Sequence, residues 1–388
     1  MSSSHSNDRL LPIVSLLILA MGAFVTILTE ALPAGLLPQL ALGLNISESL
    51  AGQTITIYAM GSLLTAIPLT NATQSIRRKP LLLIALVGFA LTNLITTLST
   101  SYLLTMVARF LAGVSAGLLW ALLAGYATRM APEHLKGRAI AIAMLGTPLA
   151  LSLGVPAGTY LGQLFGWRMA FGVMSIFAII LVVWGSLTLP DFAGQATNKR
   201  ISLKQVFILP GVRPILFTVL SFVLAHNLLY TYITPFLTLA DLAKNTDIIL
   251  LIFGCLSLFS IFITGLLIDQ YSRLLTLSSI ILFGFSALLL AVMANHAVPV
   301  YVAIAIWGVA FGGAATLFQT ALAKTTNDMA DIAQSMLVTV WNIAIAGGGV
   351  IGGFLLSDFG VHTFPFVILI LLAFTFIVVW RAKQYGFR

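Results

Sequence analysis

"PDFAGQATNKRISLKQ", residues 190 to 205, is the longest polar stretch in a chain of 388 residues, and the sequence on either side of it is overwhelmingly apolar. Hydrophobic residues make up 60% and charged residues 8% of the total. The mean hydropathy is +1.07, far beyond the roughly half-apolar make-up of soluble domains. The chain therefore reads as an integral membrane protein. Its apolar runs are continuous instead of alternating, which selects helices over a barrel, because a helix satisfies its own backbone groups in lipid.

Upstream of the polar stretch, segments of about the twenty apolar residues that cross a bilayer cover 12–36, 50–71, 81–99, 102–127, 139–162 and 168–189. Downstream they cover 214–238, 247–268, 275–294, 298–321, 334–356 and 363–382. The expected fold is an all-α membrane protein of twelve transmembrane helices in two pseudo-symmetric six-helix bundles. Residues 1–189 form the first bundle, 190–212 a cytoplasmic linker and 213–388 the second. The polar lead "MSSSHSNDR" is expected to stay attached, since no small-residue cleavage site ends the first apolar run.

The formal charge of +8 does not point to nucleic acid, because the basic residues fall in short loops between apolar runs and act as topology signals. Arg9, the "RRK" at 77–79, Arg129, Lys136, Arg138, Lys199, Arg200, Lys204, Arg213, Arg273, Lys324 and the C-terminal Arg381, Lys383 and Arg388 fall on one side. Only Arg168 and Lys244 fall opposite, with Arg109 inside a span. The positive-inside rule puts both termini in the cytoplasm. Single Cys255 excludes an internal disulfide and a cysteine metal cluster.

The halves echo each other. "TEALPAGLLP" (29–38) aligns with "TYITPFL" (231–237), setting Glu30 opposite Tyr232 and Pro33 opposite Pro235. "GVSAGLLW" (113–120) matches "GVAFGGAA" (308–315), and the same offset carries "GVPAG" (154–158) onto "GVIGG" (349–353). A parallel six-helix repeat is the pattern of one class of secondary transporter, with the substrate site between the halves near the midplane.

On these residues the chain resembles the major facilitator superfamily over essentially its whole length, and within it the twelve-helix drug:proton antiporters. The family's loop signature is reduced to its basic end, Arg78 and Lys79, in "TNATQSIRRK" (70–79). In "GLLIDQYSR" (265–273) it keeps Gly265, Leu267, Asp269 and Arg273. "RFLAGVSAG" (109–117) is similar to the span-4 motif that opens with an intramembrane arginine, and "GVPAGTYLG" (154–162), with Gly154, Pro156 and Gly158, to the antiporter motif. "TEALPAGLLP", "NISESLAGQTITIYA" (45–59) and "GWRMAF" (166–171) look like the branch that exports sugars, purine nucleosides and some drugs. The resemblance implies proton-coupled efflux by alternating access in a bacterial inner membrane, with gating residues in the loop and antiporter motifs. By half-to-half symmetry Asp269 is expected beside Arg138, as a latch on the outward-open state.

Glu30 is the only acid embedded in a span. It lies eighteen residues beyond Pro12, roughly 27 Å along at 1.5 Å per residue. Intramembrane acids are costly, so a coupling role outweighs a bystander's. Arg109 sits at comparable depth, about 12 Å in from the far side. Pairing would favour the ionised acid and apolar surroundings the neutral one, and the residues alone leave both open. The glycines of spans 4, 5, 10 and 11 are expected to let helices approach closely.

Candidate substrate contacts are Trp120, His226, Asn227, Tyr230, Tyr232, Gln319 and Asn342, an uncharged set suited to a neutral hydroxyl-bearing or aromatic ligand. His226 is expected first as an interhelical hydrogen bonder and only second as a proton carrier. No phosphate loop, embedded acid pair or His/Glu metal motif is present, so neither ATP drive nor an embedded enzyme is expected. No cofactor is implied, and the partners expected of a monomeric chain are a small-molecule substrate, protons and the lipid bilayer. An importer or uniporter on the same fold remains the nearer alternative, a transport-inactive scaffold or sensor the farther one.

Overall fold

Pro33 and Pro235 shape the two helices that bring the halves together. Proline has no N–H and cannot continue a helical ladder. The first helix, Ile13–Gly35, accordingly ends two residues after Pro33 and resumes as Leu37–Leu44. Val212–Thr231 likewise breaks at Tyr232 and resumes as Ile233–Leu237, which contains Pro235. The computed structural model describes residues 11–73, 75–132, 135–194, 203–326 and 330–387.

Among the described residues eleven helices are long and apolar enough to cross a membrane. They are span 1 (Ile13–Gly35), span 3 (Arg78–Leu98), span 4 (Tyr102–Met130), span 5 (Arg138–Phe165), span 6 (Trp167–Thr188) and span 7 (Val212–Thr231), then span 8 (Ala243–Ile268), span 9 (Gln270–Met293), span 10 (Ala297–Thr326), span 11 (Ala333–Asp358) and span 12 (Val361–Arg381). Span 2, Glu48–Ala72, completes the twelve and is more polar, carrying Glu48 and Gln53. An even number of spans returns both ends of the chain to one side, here the termini face. The opposite side is the distal face.

One expectation is corrected. "GLLIDQYSR" was expected as a loop between spans 8 and 9, yet Thr246–Met293 is helical throughout apart from Tyr271 (φ −124°, ψ 25°). Residues 266–275 contain no Gly, Pro or Asn to stop a helix, so the chain turns by a single bend. The side chain of Asp269 lies outside the described part, so the expected contact with Arg138 is not addressed. Arg138 itself is exposed.

Glycine placement decides which helices touch. On span 5, Gly146, Gly154 and Gly158 leave no room for a Cβ against Ala20, Phe24 and Leu32 of span 1. Span 5 is interrupted between Pro148 and Pro156 by a π-helical turn, Ala150–Gly154, the kind of local bulge that bends a helix. The sequence repeat is also physical. Gly113 of span 4 abuts the Tyr58 carbonyl of span 2, and Gly308 of span 10 abuts the Phe253 carbonyl of span 8, both pairs carried across by the offset that relates "GVPAG" to "GVIGG".

One buried apolar cluster lies wholly within spans 1–6 and the segment that follows them, around Leu86, Phe89, Leu119 and Tyr126. The other fills spans 7–12, around Phe222, Phe283, Trp307 and Phe318, and extends into spans 1, 2, 5 and 6 through Leu32, Ile55, Val155 and Phe171. On the termini face the basic loop holds the start of the linker. Arg77 pairs with Asp191 at 2.6 Å, the Lys79 and Arg78 backbone N–H groups donate to Asp191 and to the Phe192 carbonyl, and Arg129 donates to the Ala193 carbonyl at 2.7 Å.

Candidate functional site

Helical N–H groups bond to the carbonyl four residues earlier, so Pro33 leaves the Thr29 carbonyl of span 1 without a helical donor. Arg109 of span 4 supplies one. Its Nη1 donates to the Thr29 carbonyl, Nη2 to the Glu30 carbonyl at 3.3 Å, and Nε to the Thr54 carbonyl of span 2 at 3.2 Å. The guanidinium lies over the Tyr58 ring at 4.9 Å and the Phe171 ring at 5.9 Å. Arg109 is only 1% exposed. A buried cation must be paired or hydrogen-bonded, and here carbonyl dipoles and aromatic faces do that. Asn93 donates to the Thr29 hydroxyl at 3.1 Å and Tyr58 to the Thr26 carbonyl at 2.9 Å, tying spans 1, 2 and 3 around the same point.

The direct Glu30–Arg109 ion pair that comparable depth had invited is absent. The guanidinium takes the backbone carbonyl of Glu30 because Pro33 opens the helix there, and the half-buried carboxylate is left without an ion-pair partner. It remains within electrostatic reach of Arg109, Tyr58 and, across the interface, Tyr230 of span 7.

The second half presents aromatic faces. His226 stacks on Phe311 with ring centroids 3.4 Å apart and planes 6° from parallel, and lies 5.1 Å from Trp307, 5.2 Å from Tyr230 and 5.7 Å from Phe253. Phe253 and Trp307 meet at 4.5 Å, and Phe311 reaches Trp341 at 6.2 Å. Three buried polar atoms of this box, His226 Nδ1, Tyr230 Oη and Trp307 Nε1, have no hydrogen-bond partner. Buried polar groups are normally satisfied, so three orphans in one aromatic cluster mark a place that can receive a ligand's polar groups.

The remaining candidates scatter. Asn227 and Asn342 each donate to their own helix, to the Val223 and Val338 carbonyls, both at 2.9 Å. Trp120 is partly buried against the core of the first half. Gln319 is exposed, and its backbone carbonyl accepts from Gln334 at 3.0 Å. Arg273 donates to the carbonyls of Val379, Trp380 and Phe387 at the end of span 12, while Gly265 has open space around it. Tyr232 is not beside His226 and Tyr230 in the box. It lies at the break of span 7, between spans 2 and 11. Sequence reading missed Phe253, Trp307, Phe311 and Tyr58, whose one available signal was their position next to or opposite the close-contact glycines.

Two linked sets of helices, proline-broken where they meet and lined by a caged cation and an aromatic box, define a polytopic membrane carrier. The chain belongs to the Major Facilitator Superfamily, whose signature matches residues 19–332. It is thus a transporter and not an enzyme, of a family that moves small-molecule substrates across the bilayer by secondary transport. Its structure is similar to that of a bacterial homolog of the human lysosomal transporter Spinster in an inward-facing and occupied conformation. The TM-score is 0.78 and the identity 14%, over 95% of this chain and 96% of that one. A bacterial Spinster homolog in an inward-facing and unoccupied conformation gives a TM-score of 0.72 and 13% identity, over 97% of this chain and 98% of that one. These likenesses concern the fold.

Proposed function

We propose that this carrier exports a small, uncharged organic solute of the drug, sugar or nucleoside kind in exchange for protons. The observation that carries the reading is Glu30, a carboxylate set deep in span 1 whose neighbouring guanidinium is bound to carbonyls instead of to it. An acid without a salt-bridge partner is free to change charge as its access to water changes. In the proposed cycle the two six-helix halves, residues 1–189 and 213–388 on either side of the 190–212 linker, rock about the interface that Glu30 shares with Tyr230. Ionised Glu30 accompanies solute loading from the cytoplasm, and proton uptake on the far side weakens solute binding and permits release.

The aromatic box is the solute seat in this reading. Trp307 Nε1 and Tyr230 Oη offer donors, His226 Nδ1 offers an acceptor or donor, and the rings of Phe253 and Phe311 offer apolar faces. The box contains no acid or Lys/Arg, which favours a neutral solute carrying acceptor oxygens or nitrogens on a ring. The setting is a bacterial inner membrane with both termini cytoplasmic and the chain acting as a monomer, and the loop-motif and antiporter-motif residues serve as gates. The test is counterflow and gradient-driven flux in proteoliposomes, with sugars, nucleosides and neutral amphiphiles as probes. Solute accumulation driven by an imposed proton gradient is expected, and flux that ignores the gradient for every solute carried would overturn proton coupling.

A further inference from the structure

Five side-chain hydrogen bonds join the halves near the distal face, three of them through Tyr232 or Gln53, and a sixth ties Tyr232 to span 11 within the second half. The Tyr232 hydroxyl donates to the Gly349 carbonyl at 2.8 Å, accepts from Gln53 Nε2 at 3.1 Å and lies 3.3 Å from the Ser49 carbonyl. Gln53 Nε2 also reaches the Gly349 carbonyl at 3.1 Å, and the Ser49 hydroxyl donates to the Gly353 carbonyl at 2.9 Å. The ring itself is held in a slot cut by glycines. A Cβ on Gly52 of span 2 would strike the ring, one on Gly352 of span 11 would meet it at 2.7 Å, and one on Gly353 would meet its hydroxyl at 2.7 Å. Thr234, just beyond, donates to the Ala34 carbonyl at 3.0 Å, joining the two proline breaks.

We propose that Tyr232 is the key of a distal latch, seated from span 7 into the glycine slot between spans 2 and 11, and that its withdrawal opens the distal side. Three features suit it to that role. Tyr232 is the non-helical residue of span 7 (φ −112°, ψ 29°), so it can move with the short Ile233–Leu237 helix without unwinding the longer one. Its hydroxyl is the common atom of contacts to Ser49, Gln53 and Gly349, so one displacement releases both spans 2 and 11. Every group it leaves, two carbonyls and a carboxamide, is one that water entering from the distal side can hydrate, so opening creates no buried orphan there. The slot is closed to larger residues because a helix pair this near has no volume for a side chain.

The latch depends on neither solute nor proton, which separates its test from that of coupling. Cys255, which is exposed, is replaced by Ser, and spin-label pairs are introduced at exposed positions, Leu50 with Asp358 on the distal face and Ile76 with Lys324 on the termini face. Pulsed-EPR distances are read in lipid nanodiscs. Tyr232→Phe, which keeps the ring and removes the hydroxyl, is expected to add a longer distal separation. The open-to-closed ratio should rise about fivefold, the effect of one ordinary hydrogen bond on a two-state equilibrium. Gly52→Ala, which keeps the hydroxyl and crowds the ring, should do the same. In both, the termini-face pair should shorten, since rocking that opens one side closes the other. Distal lengthening accompanied by termini-face shortening with either substitution supports the latch. Unchanged distal distances with both, or distal lengthening with the termini-face pair unmoved, would overturn it.

Discussion

Arg109 donates to the carbonyl of Thr29, the group that Pro33 deprives of its helical partner. An intramembrane arginine next to a single acid is read most readily as a salt bridge, yet the proline spaced four residues after Thr29 supplies a stronger claim on the guanidinium. The consequence is twofold. The helix break of span 1 is made affordable in lipid, where an unsatisfied carbonyl costs several kcal/mol, and the carboxylate one residue later stays uncommitted.

That arrangement makes a double-substitution experiment informative. Arg109→Met removes the donors of three buried carbonyls and is expected to lower stability by about 2–4 kcal/mol, given roughly 1–3 kcal/mol for a buried group left unsatisfied. Pro33→Ala restores a backbone donor to Thr29, so Pro33→Ala should recover part of the loss when added to Arg109→Met. The measurement is detergent-solubilised thermal or denaturant unfolding of the four members of the cycle. Strict additivity would show that Arg109 and Pro33 act independently.

Glu30→Gln keeps the shape of the protonated acid and removes its titration. It is expected to abolish proton release on solute addition in weak buffer and gradient-driven accumulation, with insertion and unfolding temperature unchanged. Solute exchange at equal pH on both sides should persist. Glu30→Asp, shorter by one methylene, is expected to retain part of the flux with a displaced pH profile. Undiminished proton release from Glu30→Gln would move the coupling site to His226.

In the aromatic box, Tyr230→Phe removes one unpartnered polar atom and keeps its ring, and Trp307→Phe removes another while replacing the indole with a smaller phenyl ring. For a solute that uses those atoms, each should weaken binding about five- to tenfold, equivalent to ~1–1.4 kcal/mol. Tyr230→Phe should leave fold stability untouched or slightly improved, because a buried orphan is removed with it, whereas Trp307→Phe should lower it, because the lost indole ring leaves a void in a fully buried site. Counterflow KM and unfolding temperature measured on the same preparations test both halves of the statement.

The orientation proposed from basic residues is checked by cysteine labelling. A cysteine within 190–205 should react with a membrane-impermeant maleimide only after the cytoplasmic face is opened, and one beside Lys244 should react in intact cells. The reverse pattern would invert the transport direction proposed here.

The sequence by itself determined the membrane setting, the spans and the two-fold repeat, because those depend on sums over many residues. Twenty apolar residues cross a bilayer whatever their order, and the offset linking "GVPAG" to "GVIGG" also links the Gly113 and Gly308 contacts. It also singled out Glu30 and Arg109, since a charge in an apolar run is conspicuous. Tertiary structure decided what those residues touch. A side chain that binds a backbone carbonyl leaves no signature in residue type, so Arg109 with Thr29 and Tyr232 with Gly349 became visible only once the helices were packed. In helices apolar on every side, period alone cannot separate a lipid-facing ring from an inward one. Phe311 in the box and Phe262, 64% exposed on the outer side of span 8, therefore read alike in the chain and differ only in the fold.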